Sequence, residues 1–395
     1  MILCKRFVFK AGEVIVKKIM GLICCVLFAF LSAVSAEGLE GIKTTIRIEG
    51  YDRTLFSDEV YAYTFADALK VLSNNGFIDI QVNASEAEFS VYSVNGVENG
   101  FFGGEDKWFC YIERDGRIIK DNIMNIALKN GDGLVVYYGD LLKTQVISDF
   151  RHELNNGEVK FFTGAQNNIW TQEDGKWIIN DSIVPVSGVR INLKMPGGNY
   201  KILRTGSDGY TKTALGATGV YMYKAEKYNF GGVPFIAASD RYYMVHGIKD
   251  AEGITRGEAA AFIVNNFGIK KANTEEFFED VFPEDANYKE IMAAYAAGII
   301  AGRGNGIFAP EEKVDLKSFC IMIYKARKIE PERITVYKDV PQWALAGINS
   351  AVQSGALDNI SPEWNSSVTE DMLITIYKNL NLKDLYPIRT KELIR

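Results

Sequence analysis

Residues able to do covalent chemistry are sparse in this 395-residue chain. His152 and His246 are its only histidines, which excludes a histidine-rich zinc site and obliges any serine or cysteine triad to draw on one of them. Cys110 and Cys320 lack CxxC spacing and a histidine close in sequence, and no GxSxG or Walker pattern occurs. Gly302-x-Gly304-x-Gly306 has the look of a nucleotide loop, but no strand precedes it, so it reads as a turn. Carboxylates are numerous, and spacing alone leaves a glycosidase pair open. Ile254-Thr255-Arg256-Gly257-Glu258 offers non-covalent chemistry. Thr255 and Glu258 have the spacing of a capping box, which pairs the free amides of a helix start and puts the guanidinium of Arg256 in the first turn.

The elements that position these residues fall into several domains. With 47% hydrophobic residues the chain can bury two to four separate cores, and the predicted class is multidomain α+β. Residues 1–36 read as a signal peptide: Lys5, Arg6, Lys10, Lys17 and Lys18, then an apolar run from Met20 to Leu31, then Ala33-Val34-Ser35-Ala36 for cleavage before Glu37. The run is shorter than the roughly 20 residues of a bilayer-spanning helix, so no transmembrane segment is expected to be retained. Cys24 or Cys25 as a lipidated residue is a weaker alternative, because neither follows the usual small residues. The segment carries five basic and one acidic residue, so its loss moves the formal charge from −6 to −10. That balance argues against a nucleic-acid partner. Cys110 and Cys320 are the two cysteines left, and each is expected as a small buried hydrophobe rather than half of a disulfide.

Residues 41–141 begin with strand alternation, Ile42, Thr44, Ile46 and Ile48 on one face and Lys43, Thr45, Arg47 and Glu49 on the other. Helical spacing follows at Phe65, Ala68, Leu69 and Leu72, and then strand-like runs at 89–94, 107–114 and 134–138 between Asn-Gly and Asp-Gly turns. A small mixed sheet on one helix is predicted. Phe65-Ala66-Asp67-Ala68-Leu69, Val91-Tyr92-Ser93-Val94-Asn95-Gly96-Val97, Lys107-Trp108-Phe109-Cys110-Tyr111 and Leu128-Lys129-Asn130-Gly131-Asp132-Gly133-Leu134 resemble the transcobalamin-like C-terminal domain family. The resemblance implies a β-grasp-like fold and a ligand site, with a corrinoid as the cofactor candidate. Trp108 and Tyr111 would contact that ligand, or would pack across the sheet.

Residues 145–246 alternate again at Val189, Ile191 and Leu193, with a Gly206-Ser207-Asp208-Gly209-Tyr210 turn and a Gly219-to-Ala225 strand. These runs resemble the carboxypeptidase-regulatory-like or prealbumin-like β-sandwich, which implies a spacer or a carbohydrate contact.

From 249 to 385 the period becomes helical and repeats. Phe278-Glu279-Asp280-Val281, Ala297-Gly298-Ile299-Ile300 and Gly302-Arg303-Gly304 to Phe308-Ala309-Pro310 return as Tyr337-Lys338-Asp339-Val340, Trp343-Ala344, Gly355-Ala356-Leu357 and Ser361-Pro362. Helices are predicted at 314–325 and 368–379, with Ile254 to Ile263 as a third copy lacking its first helix. This pattern resembles the S-layer homology (SLH) family, as one half and two fuller copies in an all-α repeat bundle. The resemblance implies binding of secondary cell-wall polysaccharide, often pyruvylated, in grooves between copies on the peptidoglycan-associated envelope. A planar guanidinium suits an acidic sugar substituent, and a helix N-terminus adds positive potential. Arg256 is the leading ligand candidate, with Asp280, Asp339, Trp343, Gly302, Arg303 and Gly304 lining or shaping grooves. Helix capping by the aspartates, packing by Trp343 and a solvated Arg303 are the alternatives. The other copies read Val314-Asp315-Leu316-Lys317-Ser318 and Val368-Thr369-Glu370-Asp371-Met372, without arginine at the matching place. The expectation is an exported, non-enzymatic surface protein of a Gram-positive-type bacterium, anchored by its SLH copies. A receptor for a corrinoid or other small ligand and a wall-active glycan hydrolase are the other readings.

Overall fold

The computed structural model describes residues 41–84, 89–120, 123, 126–173, 176–229, 231–270 and 277–385. The predicted signal peptide lies outside them.

The first region is a mixed sheet crossed by one helix. Strands β1 (Ile42–Glu49) and β2 (Thr54–Ala62) form a hairpin, and helix α1 (Phe65–Asn74) starts at Thr64, whose side chain accepts from the Asp67 amide. Then come β3 (Ile80–Ala84), β4 (Phe89–Val94), β5 (Val97–Glu98), β6 (Lys107–Arg114), β7 (Arg117–Ile119) and β8 (Gly133–Gly139). The main sheet runs β2-β1-β8-β6-β7, with β8 parallel to β1, and β3-β4-β5 form a small second sheet. Ile46, Ile48, Phe65, Leu69, Leu72, Leu134 and Val136 make the core between sheet and helix.

The sheet's other face is also covered. Arg47 and Glu49, on the polar side of the β1 alternation, are 5% and 1% exposed. Arg47 donates to the Ala238 carbonyl of the middle region, and Lys224 reaches the carboxylate of Glu49 at 3.2 Å. Tyr111, Val135 and Tyr137 close over Val146 and Ala237. Burial alone would strip charge from Arg47, but Tyr111, Glu49 and Glu113 outweigh it and raise its pKa.

The middle region packs two sheets face to face. Its strands are β9 (Gln145–Asn155), β10 (Glu158–Glu173), β11 (Lys176–Pro185), β12 (Arg190–Lys194), β13 (Tyr200–Arg204), β14 (Tyr210–Ala214), β15 (Gly219–Glu226), β16 (Ile236–Ala237) and β17 (Tyr242–His246). One sheet runs β11-β10-β9-β16 with β14 on β10, and the other runs β13-β12-β15-β17. Val159, Phe161, Ile191, Leu193, Tyr221, Tyr223 and Met244 fill the space between them. The Gly206-to-Tyr210 turn does not close a hairpin. It carries the chain from the second sheet to the first.

Helices α2 (Arg256–Asn266), α3 (Tyr288–Ala296), α4 (Leu316–Arg327), α5 (Leu345–Gln353) and α6 (Glu370–Leu385) follow, with a 3-10 turn at Gln342–Ala344. Helices α2, α4 and α6, which correspond to one another in the expected repeat, meet at their starts. The amide of Ile254 donates to the Val368 carbonyl (2.9 Å), that of Val368 to Val314 (3.0 Å) and that of Val314 to Ile254 (3.1 Å), closing a ring. A second tier runs the opposite way round: Arg256 donates to the Glu312 carbonyl (2.8 Å), Leu316 to Ser366 (3.0 Å) and Glu370 to Ala251 (3.0 Å). Helix α3 packs on α2 and α5 on α4, where Gly347 lets the backbones close: a Cβ there would sit 2.8 Å from the Ile321 amide nitrogen.

An all-α bundle standing by itself is not what forms. Val220 and Val245 of the middle sheet belong to the helical core. The Asn266 side chain accepts from the Val220 amide at 3.1 Å and donates to its carbonyl at 3.0 Å, as a neighbouring strand would. Helix α6 lies against β15 and β17, with Tyr377 edge-on to Tyr243, so the sheet occupies the side that a partner helix covers on α2 and α4. Ile254, fully buried in this core, is a sharp test: Ile254→Ala is expected to cost about 2–5 kcal/mol from lost burial and a cavity. Thermal unfolding of the full chain should show a clear fall in midpoint, while Ile202→Ala at a 57% exposed position should leave it nearly unchanged.

Candidate functional site

The site is built on the start of α2. The Thr255 hydroxyl accepts from the Glu258 amide (3.2 Å), and the Glu258 carboxylate accepts from the Thr255 amide (2.8 Å), completing the capping box. The other Glu258 oxygen accepts from the Lys249 amide at 2.7 Å. The next two amides are also committed, Arg256 to the Glu312 carbonyl and Gly257 to the Pro310 carbonyl at 2.9 Å. The dipole expected to add positive potential remains, and the first amides of the helix are paired within the protein.

Arg256 itself is half-buried. Its Nε donates to the Phe308 carbonyl and one Nη to the Ala301 carbonyl, both at 3.0 Å, and the guanidinium lies 4.7 Å from the centre of the Phe308 ring. A guanidinium has five N–H donors, so about three remain unspent among the described residues. Burial first, and then the nearby charge of Arg303, lower the Arg256 pKa. Lowering of that kind leaves an arginine charged at neutral pH.

The loop that receives Arg256 is a tight turn at 301–309. The Arg303 amide donates to the Ile307 carbonyl (2.7 Å) and the Ile307 amide to Gly304 (3.0 Å), and Gly304 takes φ +101°. Gly302 is required by contact, since a Cβ would stand 2.8 Å from the Ile307 carbonyl oxygen. Asp280 braces the far end, its two oxygens accepting from the amides of Phe308 (2.8 Å) and Ala309 (2.7 Å). Ala309 has φ +61°, a conformation that an alanine adopts only when held. Arg303 makes a forked pair with Glu312, Nε to one oxygen at 2.9 Å and Nη to the other at 2.5 Å. Arg256, Arg303 and Glu312 therefore lie together over a loop shaped by Gly302, Gly304 and Asp280.

The other expected residues are placed differently. Asp280 caps no helix, because α3 begins eight positions later at Tyr288 with Asn287 before it. Asp339 does not cap one either: it is exposed at φ +61°, and Pro341 precedes the 3-10 turn without a side-chain bond. Trp343 is 57% exposed, in a 3-10 turn that lies against both α4 and α5. Lys317 in the second copy is held by Asp315 and, at 2.7 Å, by Asn365. In the third copy burial, followed by the charge of Asp371, raises the pKa of Glu370. Trp108 and Tyr111 are 4% and 1% exposed, so neither presents a face to a ligand. The Trp108 indole N–H donates to the Val97 carbonyl at 2.8 Å, and Tyr111 packs in the junction with the middle region. Glu312 went unrecognised in the sequence, as did the aromatic support from Phe308. The one signal for Glu312 is positional: it stands two residues before Val314 as Ser366 stands before Val368.

Residues 277–318 match the S-layer homology domain. That segment runs from the residue before Phe278 through the Gly302-Arg303-Gly304 loop to the start of α4, and the match indicates association with the cell surface. The chain is also similar to an endoglucanase of Bacillus sp. (strain KSM-635), 32% identical over 75 residues. That stretch lies in the helical region and covers 19% of this chain and 8% of the endoglucanase. No helix among the described residues is long and apolar enough to cross a membrane. The twin aspartates give a test of the loop. Asp280→Ala removes two charge-assisted bonds and should cost about 2–3 kcal/mol, with faster amide exchange at Phe308 and Ala309. Asp339→Asn, which keeps a residue tolerant of positive φ at this exposed position, should change stability by less than about 0.5 kcal/mol.

Proposed function

We propose that this chain is a non-catalytic surface protein held on the bacterial cell wall by its helical region, with secondary cell-wall polysaccharide as the partner and the two β-rich regions displayed outward. The observation that carries this reading is Arg256: a half-buried guanidinium, fixed by two backbone carbonyls and an aromatic ring, with unspent donors beside a second arginine. A planar cation held in this way suits the carboxylate of an acidic sugar substituent such as a pyruvate ketal, which it can meet with paired hydrogen bonds. Recognition then rests on guanidinium groups and not on helix-start amides. The segment shared with the Bacillus endoglucanase belongs to the helical region, which supports a common attachment device rather than common catalysis.

The nucleophile candidates support a non-catalytic role. Burial pushes the thiols of Cys110 and Cys320 up to about 12, which keeps them protonated and unreactive. His152 has its Nδ1 2.7 Å from the Tyr223 hydroxyl, and burial lowers its pKa.

The mature chain is expected to co-sediment with protein-free cell walls that retain their polysaccharide and to stay in solution with walls stripped of it by hydrofluoric acid. Absence of sedimentation with intact walls would end this reading. Arg256→Ala should weaken binding about tenfold or more, the worth of a charge-assisted contact, and Arg256→Lys should fall between. Melting curves for both variants separate lost binding from lost folding.

A further inference from the structure

We propose that Glu312 is a built-in stand-in for the ligand carboxylate, occupying Arg303 in the free protein and giving way when an acidic sugar binds. The inference rests on the anchoring site described above and names how that site is regulated. Its basis is the fork between Arg303 and Glu312, Nε and Nη each meeting one carboxylate oxygen at 2.9 and 2.5 Å. That is the geometry with which arginine grips any planar carboxylate, so a ligand acid competes for the same two N–H groups.

Glu312 is placed for this by its backbone. Its carbonyl accepts from the Arg256 amide at 2.8 Å, in the second tier of bonds around the ring. The side chain is therefore tethered between the two arginines whatever its charge. Ser366, at the corresponding place two residues before Val368 and ahead of α6, accepts from the Leu316 amide at 3.0 Å with its backbone carbonyl and has no carboxylate at all. The carbonyl does the structural work at this position, and the carboxylate is free for another role. The pair is also easily parted, since the side chains of Arg303 and Glu312 are 49% and 47% exposed. An exposed ion pair shifts an equilibrium only about two- to five-fold, small enough for a ligand to displace and large enough to measure.

While no ligand is present, Glu312 shields Arg256 from the like charge of Arg303. Once the ligand acid arrives, it can meet Arg303 and the unspent donors of Arg256 together. A neutral sugar cannot exchange with Glu312, so the stand-in also favours acidic ligands over neutral ones.

The test uses the mature full-length chain, protein-free cell walls, and free glucuronate with glucose as the neutral control. Glu312→Gln keeps the backbone carbonyl and removes the competing charge. It should bind walls and glucuronate about two- to five-fold more tightly than the unaltered protein, with no change toward glucose. Arg303→Ala, which breaks the same pair from the other side, should bind more weakly, and adding it to Glu312→Gln should abolish the gain. A pair that only braced the loop would make both single variants weaker. E312Q equal to or weaker than the unaltered chain on intact walls, with an unchanged melting midpoint, overturns the stand-in and leaves anchoring in place. Failure of the unaltered chain and E312Q alike to bind intact walls overturns both.

Discussion

The helical region depends on a ring of three backbone hydrogen bonds through Ile254, Val314 and Val368. Each of these residues gives its amide to one neighbour and its carbonyl to the other, and all three are at most 2% exposed. Water is excluded there, so any opening would orphan a buried polar group, at about 1–3 kcal/mol apiece. Three stretches distant in the chain are thus obliged to meet in one order. The caps follow from this: Thr255, Asp315 and Thr369 stand one residue after the ring, and each accepts from an amide three positions on. The helices start where they do because the ring delivers them there.

A scaffold made of backbone groups is indifferent to the side chains it carries. The residues one step beyond the caps are Arg256, Leu316 and Glu370, a cation, an apolar group and an acid, on the same tier of bonds. Asp280 and Asp339 show the same freedom, one bracing a strained loop and the other exposed. The copies can therefore diverge in recognition without losing their arrangement. For that reason the first junction, where Arg256 meets Arg303, bears the binding proposal and the others do not.

What was legible in the sequence follows the same division. Local periods and caps could be read: the Thr255 and Glu258 spacing gives the capping box, and α1, α2, α4 and α6 fall where helical spacing puts them. Contacts between distant segments could not. Alternation in β1 marks Arg47 and Glu49 as a second, polar face, but only the docked middle region explains why that face is buried. Strand β2 alternates over its last four residues, with Val60 and Ala62 inward, and on its other side Ser57 donates to Asp240 of the middle region at 3.4 Å. Trp108 and Tyr111 carry the residue types of a ligand platform, and their burial depends on strands far away in the chain. Arg256 was recognisable by type and place. Its two carbonyl partners were not, because they come from a loop that folds back beneath it.

The junctions also determine what an anchored molecule presents. Arg47, Glu49 and Lys224 form a buried charged contact between the first and middle regions, and such contacts fix geometry more than they add stability. Val220 and Val245 merge the middle sheet with the helical core, and Lys43 of β1 donates to Asn359 of the helical region at 2.9 Å. Each region thus touches the other two. An interface with apolar continuity and matched buried charge resists the hinge motion that is usual where domains meet across small polar contacts. Attachment through the helical region therefore sets the orientation of both β-rich regions as well as their location, and the side of the first sheet that holds α1 faces away from the middle region that covers its opposite side.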